Sequence, residues 1–180
     1  MSGLLGSIIA NTPDRVLMEI GWQHLQIARA RLKASKGGTQ EDPKPKRPIL
    51  EIMYVHASGG NFQPVNHYLS IPITEELAQQ WGLPMDDEDK QLMFNQQIKD
   101  WALANGLNPE IHGEIPIEAY APDMADDVPV LIEGWKGLET AGLIKHEAYD
   151  GRKNAKVNSF RSLALAEEKA PAPATAATAG

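Results

Sequence analysis

The sequence predicts a mainly β fold with a helical insertion (α+β), built on five strands around one core. Three observations predict it. Runs of alternating or strand-forming apolar residues recur at 22–34, 49–56, 62–71, 130–149 and 152–163, divided by Gly-, Pro- and Asp-rich breaks. The helical stretches, 74–105, fall between the third and fourth runs. The chain has 180 residues, 42% of them hydrophobic, which is enough to bury one core without staples. It has no cysteine, which excludes a disulfide framework, a thiolate nucleophile and a Cys-held zinc, and which fits a reducing compartment.

Residues 22–34, WQHLQIARARLKA, read as a strand with a phase shift. Leu25 and Ile27 share one parity; Ala28, Ala30 and Leu32 share the other. One extra residue near Ile27 and Ala28 keeps both sets on the core side. Beyond that bulge Arg29, Arg31 and Lys33 all point outward as a basic stripe, and a short helix is the competing reading. The next stretch, SKGGTQEDPKPKRP, holds two glycines and three prolines and continues neither strand nor helix. Residues 49–56, ILEIMYVH, are strand formers, apolar on both faces except at Glu51. After the turn ASGGN, Val65, Leu69 and Ile71 face inward with the parity of His67, and Tyr68 faces outward; Pro64 suits a strand start or an edge.

Thr74 caps a short helix, EELAQQW, that stops at Gly82 with Pro84 beyond. Asp86 is expected to cap a second helix running to about Asn105, with Asp87, Glu88 and Asp89 loading the first turn, where the helix dipole favours negative charge. Phe94, Ile98, Trp101 and Ala102 form its apolar stripe, and Gly106 ends it. Residues 107–129 hold four prolines and no period, and read as a surface excursion. Residues 130–149 return to strand, broken at Gly134 and Gly137, with Ile144 and Ala148 facing one way and Lys145, Glu147 and Tyr149 the other. Asp150-Gly151 is the strongest hairpin dipeptide in the chain, and Arg152 to Leu163 form the return strand.

The expected organisation is an N-terminal extension 1–21, a main domain 22–165 with a helical and acidic insertion 73–129, and a tail 166–180. The Ala/Pro/Thr tail cannot build a packed core and is expected to be disordered. The start, MSGLLGSIIANTPDR, is apolar but lacks the basic n-region and cleavage site of a signal peptide. No run of about 18 apolar residues marks a membrane span.

Strand, basic loop, strand, turn, strand, helices, strand, basic hairpin, strand is the connectivity of an OB-like five-stranded barrel. In that fold the loop between strands 1 and 2, the loop between strands 4 and 5 and the outer face of strands 2 and 3 bind oligonucleotides or oligosaccharides. Charge falls on those loops. The chain carries −7 overall, yet residues 22–69 hold seven basic side chains against three acids and residues 134–162 six against three. Residues 70–133 hold fourteen acids against two basic side chains. Two basic segments thus flank an acidic one, a local electrostatic footprint on an acidic molecule.

Three features carry a resemblance: a strand ending in Lys33-Ala34-Ser35-Lys36-Gly37-Gly38, a helix ending in Ala104-Asn105-Gly106, and the hairpin Glu147-Ala148-Tyr149-Asp150-Gly151-Arg152 with Asn154 and Val157 after it. With the stretches around them the chain resembles small phage-encoded proteins that look like single-strand DNA-binding OB-folds of replication and recombination gene sets. The resemblance implies an OB-type fold, service in phage DNA replication or recombination, and the host cytoplasm as location. A phage recombinase, helicase or polymerase is the further partner it implies. The chain departs from the pattern in its acidic excursion, 107–129, and in a tail without the acidic tip that many bacterial single-strand-binding proteins use to recruit partners.

The chemistry-bearing residues form no catalytic pattern. His24, His56, His67, His112 and His146 show no H-E-x-x-H or other ligand spacing, and His67 and His146 read as structural histidines. Asp86 to Asp89 lack the alternation and glycine of a calcium loop. There is no G-x-S-x-G, P-loop or dinucleotide fingerprint. The expected function is therefore non-catalytic binding of single-stranded DNA, with no metal and no cofactor. Such binding needs cations to track phosphates and aromatic faces to stack bases. Arg29, Arg31, Lys33, Lys36, Lys46, Arg47, Arg152, Lys153 and Lys156 supply the first; Tyr68 and Tyr149 supply the second. Phe62 and Tyr54 are weaker candidates, and Trp22, Trp81, Trp101 and Trp135 read as packing residues. The rival reading is a protein-interaction or structural β-barrel, a virion or assembly factor whose basic loops meet an acidic partner. An enzyme acting on nucleic acid comes third. Oligomeric state is left open.

Overall fold

A computed structural model of the chain describes residues 3–37, 40–42, 46–122 and 129–164, apart from the Tyr149 side chain. A helix, α1 (Leu4–Asn11), precedes three strands, β1 (Gly21–Ala34), β2 (Pro48–His56) and β3 (Val65–Ser70). The helices α2 (Glu75–Trp81), α3 (Glu88–Ala104) and α4 (Pro109–His112) follow, then β4 (Val130–Leu131), β5 (Glu139–Tyr149) and β6 (Arg152–Arg161). The strands make one antiparallel sheet in the order β3-β2-β1-β5-β6, with β4 paired to β1. Among the described residues no helix is long and apolar enough to cross a membrane.

The fold is mainly β with inserted helices, and it differs from a closed five-stranded barrel in two ways. A sixth, two-residue strand, β4, is cut from β5 by the turn at Glu133–Trp135. The sheet path also ends at β3 and β6 without a ladder between them among the described residues. Side chains bridge that gap instead: His67 of β3 stands edge-on to Phe160 of β6, ring centroids 4.7 Å apart.

The bulge in β1 lies where the parity switch puts it. The register with β2 slips between Ile27 and Arg29, leaving Ala28 as the extra residue. The slip returns Ala30, Leu32 and Ala34 to the face already held by Leu25 and Ile27, and all five are buried. It also lets β1 serve two neighbours, β5 along Gly21–Gln26 and β2 along Leu25–Ala34. The hairpin between β5 and β6 turns on Asp150 and Gly151, at φ 50° and 72°, the left-handed pair that a two-residue turn of the favoured hand requires.

Helix α3 closes the core with Trp101. Its indole Nε1 donates to the Tyr54 hydroxyl at 2.8 Å, and Tyr54 donates to Asn105 Oδ1 at 2.7 Å. The Asn105 amide donates back to the Trp101 carbonyl at 2.8 Å, so three buried polar groups satisfy one another. Burial pushes the Tyr54 phenol pKa up against these hydrogen bonds, and the residue belongs to the core.

Three expectations change. Asp86 does not cap α3; Asp87 does, accepting from Lys90 N at 2.7 Å. Asp86 is drawn away because its carboxylate accepts from Ile73 N at 2.9 Å and from Arg47. The stretch after α3 is not all surface: Tyr120 is buried edge-on against Trp81, centroids 5.0 Å apart, and Leu107, Ile115 and Ile117 pack on the core. The N-terminal extension is tied in: Met18 is fully buried, and Val16 bridges to Phe62. The tail 166–180 lies outside the described residues.

Candidate nucleic-acid interface

Strand register assembles the outer face of β1, β2 and β3. Arg31 stands opposite Glu51, and Glu51 opposite Tyr68, so one row crosses three strands. Arg29 and Lys33 lie one step along β1 to either side, on the same face. Glu51 collects all three cations: Arg31 Nε at 2.5 Å, Lys33 Nζ at 3.4 Å and Arg29 Nη2 at 3.6 Å. Burial pushes the Glu51 carboxyl up, but the bonds and charges of Arg31 and Lys33 overcome it and hold its pKa below the ordinary carboxylate value. Three cations over one carboxylate leave two positive charges uncompensated within the group. Tyr68 completes the row at 53% exposure. Burial, and then the Glu51 charge, raise its phenol pKa, so it is a neutral ring there.

The loop between β1 and β2 behaves differently from its composition. Arg47 is engaged: its guanidinium meets both Asp86 oxygens, at 3.2 and 2.7 Å, and donates to the Ile71 carbonyl at 3.0 Å. Its plane also lies 4.9 Å from the Phe94 ring centroid. Burial pushes the Asp86 carboxyl up, yet Arg47 and the Ile73 N–H hold its pKa below the ordinary value. This pair ties the root of the basic loop to the acidic insertion and engages Arg47, one of the cations expected to meet phosphates. Lys36 is exposed just beyond β1, and Lys46 is half-buried at the loop root.

The hairpin lies apart from the Glu51 cluster. β5 leaves β1 at the Gly21–Ile144 pair, so residues 145–156 project past the start of β1 while the cluster sits on its second half. Arg152, Lys153 and Lys156 are exposed. Register puts Arg152 and Lys156 on one face with Lys145, and Lys153 on the face of buried Val157. Lys156 reaches Glu147 at 2.9 Å, an exposed pair of little energetic weight. The Tyr149 side chain lies outside the described residues.

His146 Nε2 contacts the Met18 carbonyl at 2.7 Å, and burial pushes the His67 pKa down to about 4. Among the described residues no three His, Asp or Glu side chains gather as metal ligands. Sequence reasoning assigned Trp22 to packing, yet it is 37% exposed on the outer face, with the Arg161 guanidinium 4.5 Å from its ring centroid. Its parity, opposite to Leu25 and Ile27, was the available signal. The chain matches no protein-family model and no curated protein.

Proposed function

We propose that this protein binds single-stranded DNA without catalysis, on the outer face of β1, β2 and β3. The observation that carries the reading is the row Arg31–Glu51–Tyr68 with Arg29 and Lys33 beside it. Glu51 gathers the cations from beneath without cancelling them, and a neutral exposed ring lies one strand away. Phosphates would meet the cations while a base stacks on Tyr68, a combination that tolerates any sequence. Lys36 and Lys46 extend the path at one end and Arg152 and Lys156 at the other, with Lys153 on the reverse side of the exposed hairpin. The acidic insertion would repel the strand from the remaining surface.

The strand path supports an OB-type barrel in partly open form, since β3 and β6 approach through His67 and Phe160. A phage replication or recombination setting, in the host cytoplasm and alongside a recombinase, helicase or polymerase, is part of the proposal and rests on the sequence resemblance alone. One observation favours the rival, protein-binding reading: α1 buries no residue and exposes Leu4, Leu5, Ile8 and Ile9. Fluorescence anisotropy with a labelled thymidine oligomer separates the two. Saturable binding of the single strand that exceeds binding of duplex supports the proposal; no binding at low salt overturns it in favour of the rival.

A further inference from the structure

The β1–β3 face and the β5–β6 hairpin sit at opposite ends of β1, and what lies between them decides whether they form one site. The outer face can be followed row by row. Lys145 and Lys156 face each other on the hairpin. The next outer row is Ser159, Leu143 and Trp22, and the next is Arg161, Ala141 and His24. Then come Glu139 and Gln26, and beyond the bulge Arg29 and Arg31. Trp22 therefore stands between a pair of lysines on one side and Arg161 on the other.

The indole is unlike the tryptophans that build the core. Trp101 and Trp135 are 3% and 2% exposed and donate their Nε1–H to protein acceptors. Trp22 keeps 37% of its surface in solvent, and its ring is met by the Arg161 guanidinium at 4.5 Å. A guanidinium on an indole is held by about 0.5–1 kcal/mol at an exposed site. A stacked base is worth about 1–3 kcal/mol, so a base can displace the guanidinium and free it to meet a phosphate. The carboxylates along the way are already engaged, Glu139 with His24 and Glu147 with Lys156.

We propose that Trp22 and Arg161 form a second stacking step, which carries a single strand from the hairpin lysines to the Arg29–Arg31–Lys33 stripe. This inference rests on the single-strand reading above and adds a path to it. From Trp22 to Arg31 is nine residues, at most roughly 30 Å of strand, so short oligomers occupy one end and longer ones cross the indole.

The full chain is titrated at low salt with thymidine oligomers from about 4 to about 16 nucleotides, the range of OB-type sites, while tryptophan fluorescence and oligomer anisotropy are recorded. Above a threshold length, binding should quench the fluorescence, and Trp22→Phe should abolish the quench while leaving the fold intact. Trp22→Ala should weaken long oligomers by roughly 5- to 100-fold and leave the shortest unchanged. Arg161→Ala should flatten the salt dependence for long oligomers only. If long oligomers bind but the quench survives in Trp22→Phe, or never appears in the parent, the second step is overturned and the β1–β3 site stands. If no oligomer of any length binds, the single-strand reading falls and takes this inference with it.

Discussion

Glu51 and Asp86 are both nearly buried carboxylates held by cations, at 5% and 6% exposure, and they sit in opposite kinds of surroundings. Glu51 lies under an open sheet face, shared among Arg29, Arg31 and Lys33. Asp86 lies in a corner, where one guanidinium and one backbone N–H satisfy it. In the corner one cation matches one carboxylate, and the pair fixes a loop to a helical insertion. On the open face cations outnumber the carboxylate, so capacity for an anion is left over. A buried carboxylate thus marks an anchor where one cation matches it and, in the proposed function, a recruiting point where cations exceed it.

The largest expected effect breaks the corner. Asp86→Ala strands a largely buried guanidinium whose Nε has no hydrogen-bond partner, and should cost about 3–4 kcal/mol in urea unfolding. Oligomer affinity of the folded variant should stay within about twofold, because the corner is outside the proposed interface. A loss of affinity as large as the loss of stability would place Arg47 in the binding path.

The next effect concerns acid. Burial holds the His67 pKa at about 4 against 6.5 for an ordinary imidazole. The unfolded chain binds the proton first, so stability is full above about pH 6.5 and falls as pH drops toward 4, by up to about 3 kcal/mol. Glu51 and Asp86, whose pKa values are depressed, add to the loss at lower pH, as they protonate. His67→Leu should flatten the unfolding free energy between pH 6.5 and 4; an unchanged slope would show that the imidazole titrates normally.

How far the sequence discloses these two regions differs as well. The bulge was legible because Leu25 and Ile27 switch parity with Ala30 and Leu32, and the helix start because Thr74 accepts from Leu77 N. The hairpin was legible in Asp150-Gly151. Those signals are local. The placement of Asp86 at the cap of α3 misled, and the engagement of Arg47 went unread, because their pairing joins positions 39 residues apart. Parity gave Tyr68 its outward face, but its place beside Glu51 and Arg31 depends on register across three strands, which no single segment encodes. Tyr120 became core through Trp81, a contact invisible in a proline-rich stretch without period.

Two smaller effects sharpen the open face. Tyr68→Ala should weaken oligomer binding by about 1–3 kcal/mol with the salt dependence unchanged, since stacking releases no counterions. A change in salt slope would mean that the ring acts only by supporting the cations. Glu51→Gln keeps an acceptor for Arg31 and removes the neutralising charge. It should tighten binding at low salt by less than about 1 kcal/mol, and weaker binding would show that the carboxylate's grip on the cations matters more than its charge.

The most direct measurement of the account is the salt dependence of oligomer affinity for the parent and for Arg29→Ala/Lys33→Ala. With four to six phosphate contacts the parent's log affinity should fall against log salt with a slope of roughly −3 to −4. The double variant should flatten that slope by roughly 1 to 1.5 while unfolding within about 1 kcal/mol of the parent. A parent whose affinity ignores salt, or a double variant with the parent's slope, would contradict phosphate capture on the outer face of β1.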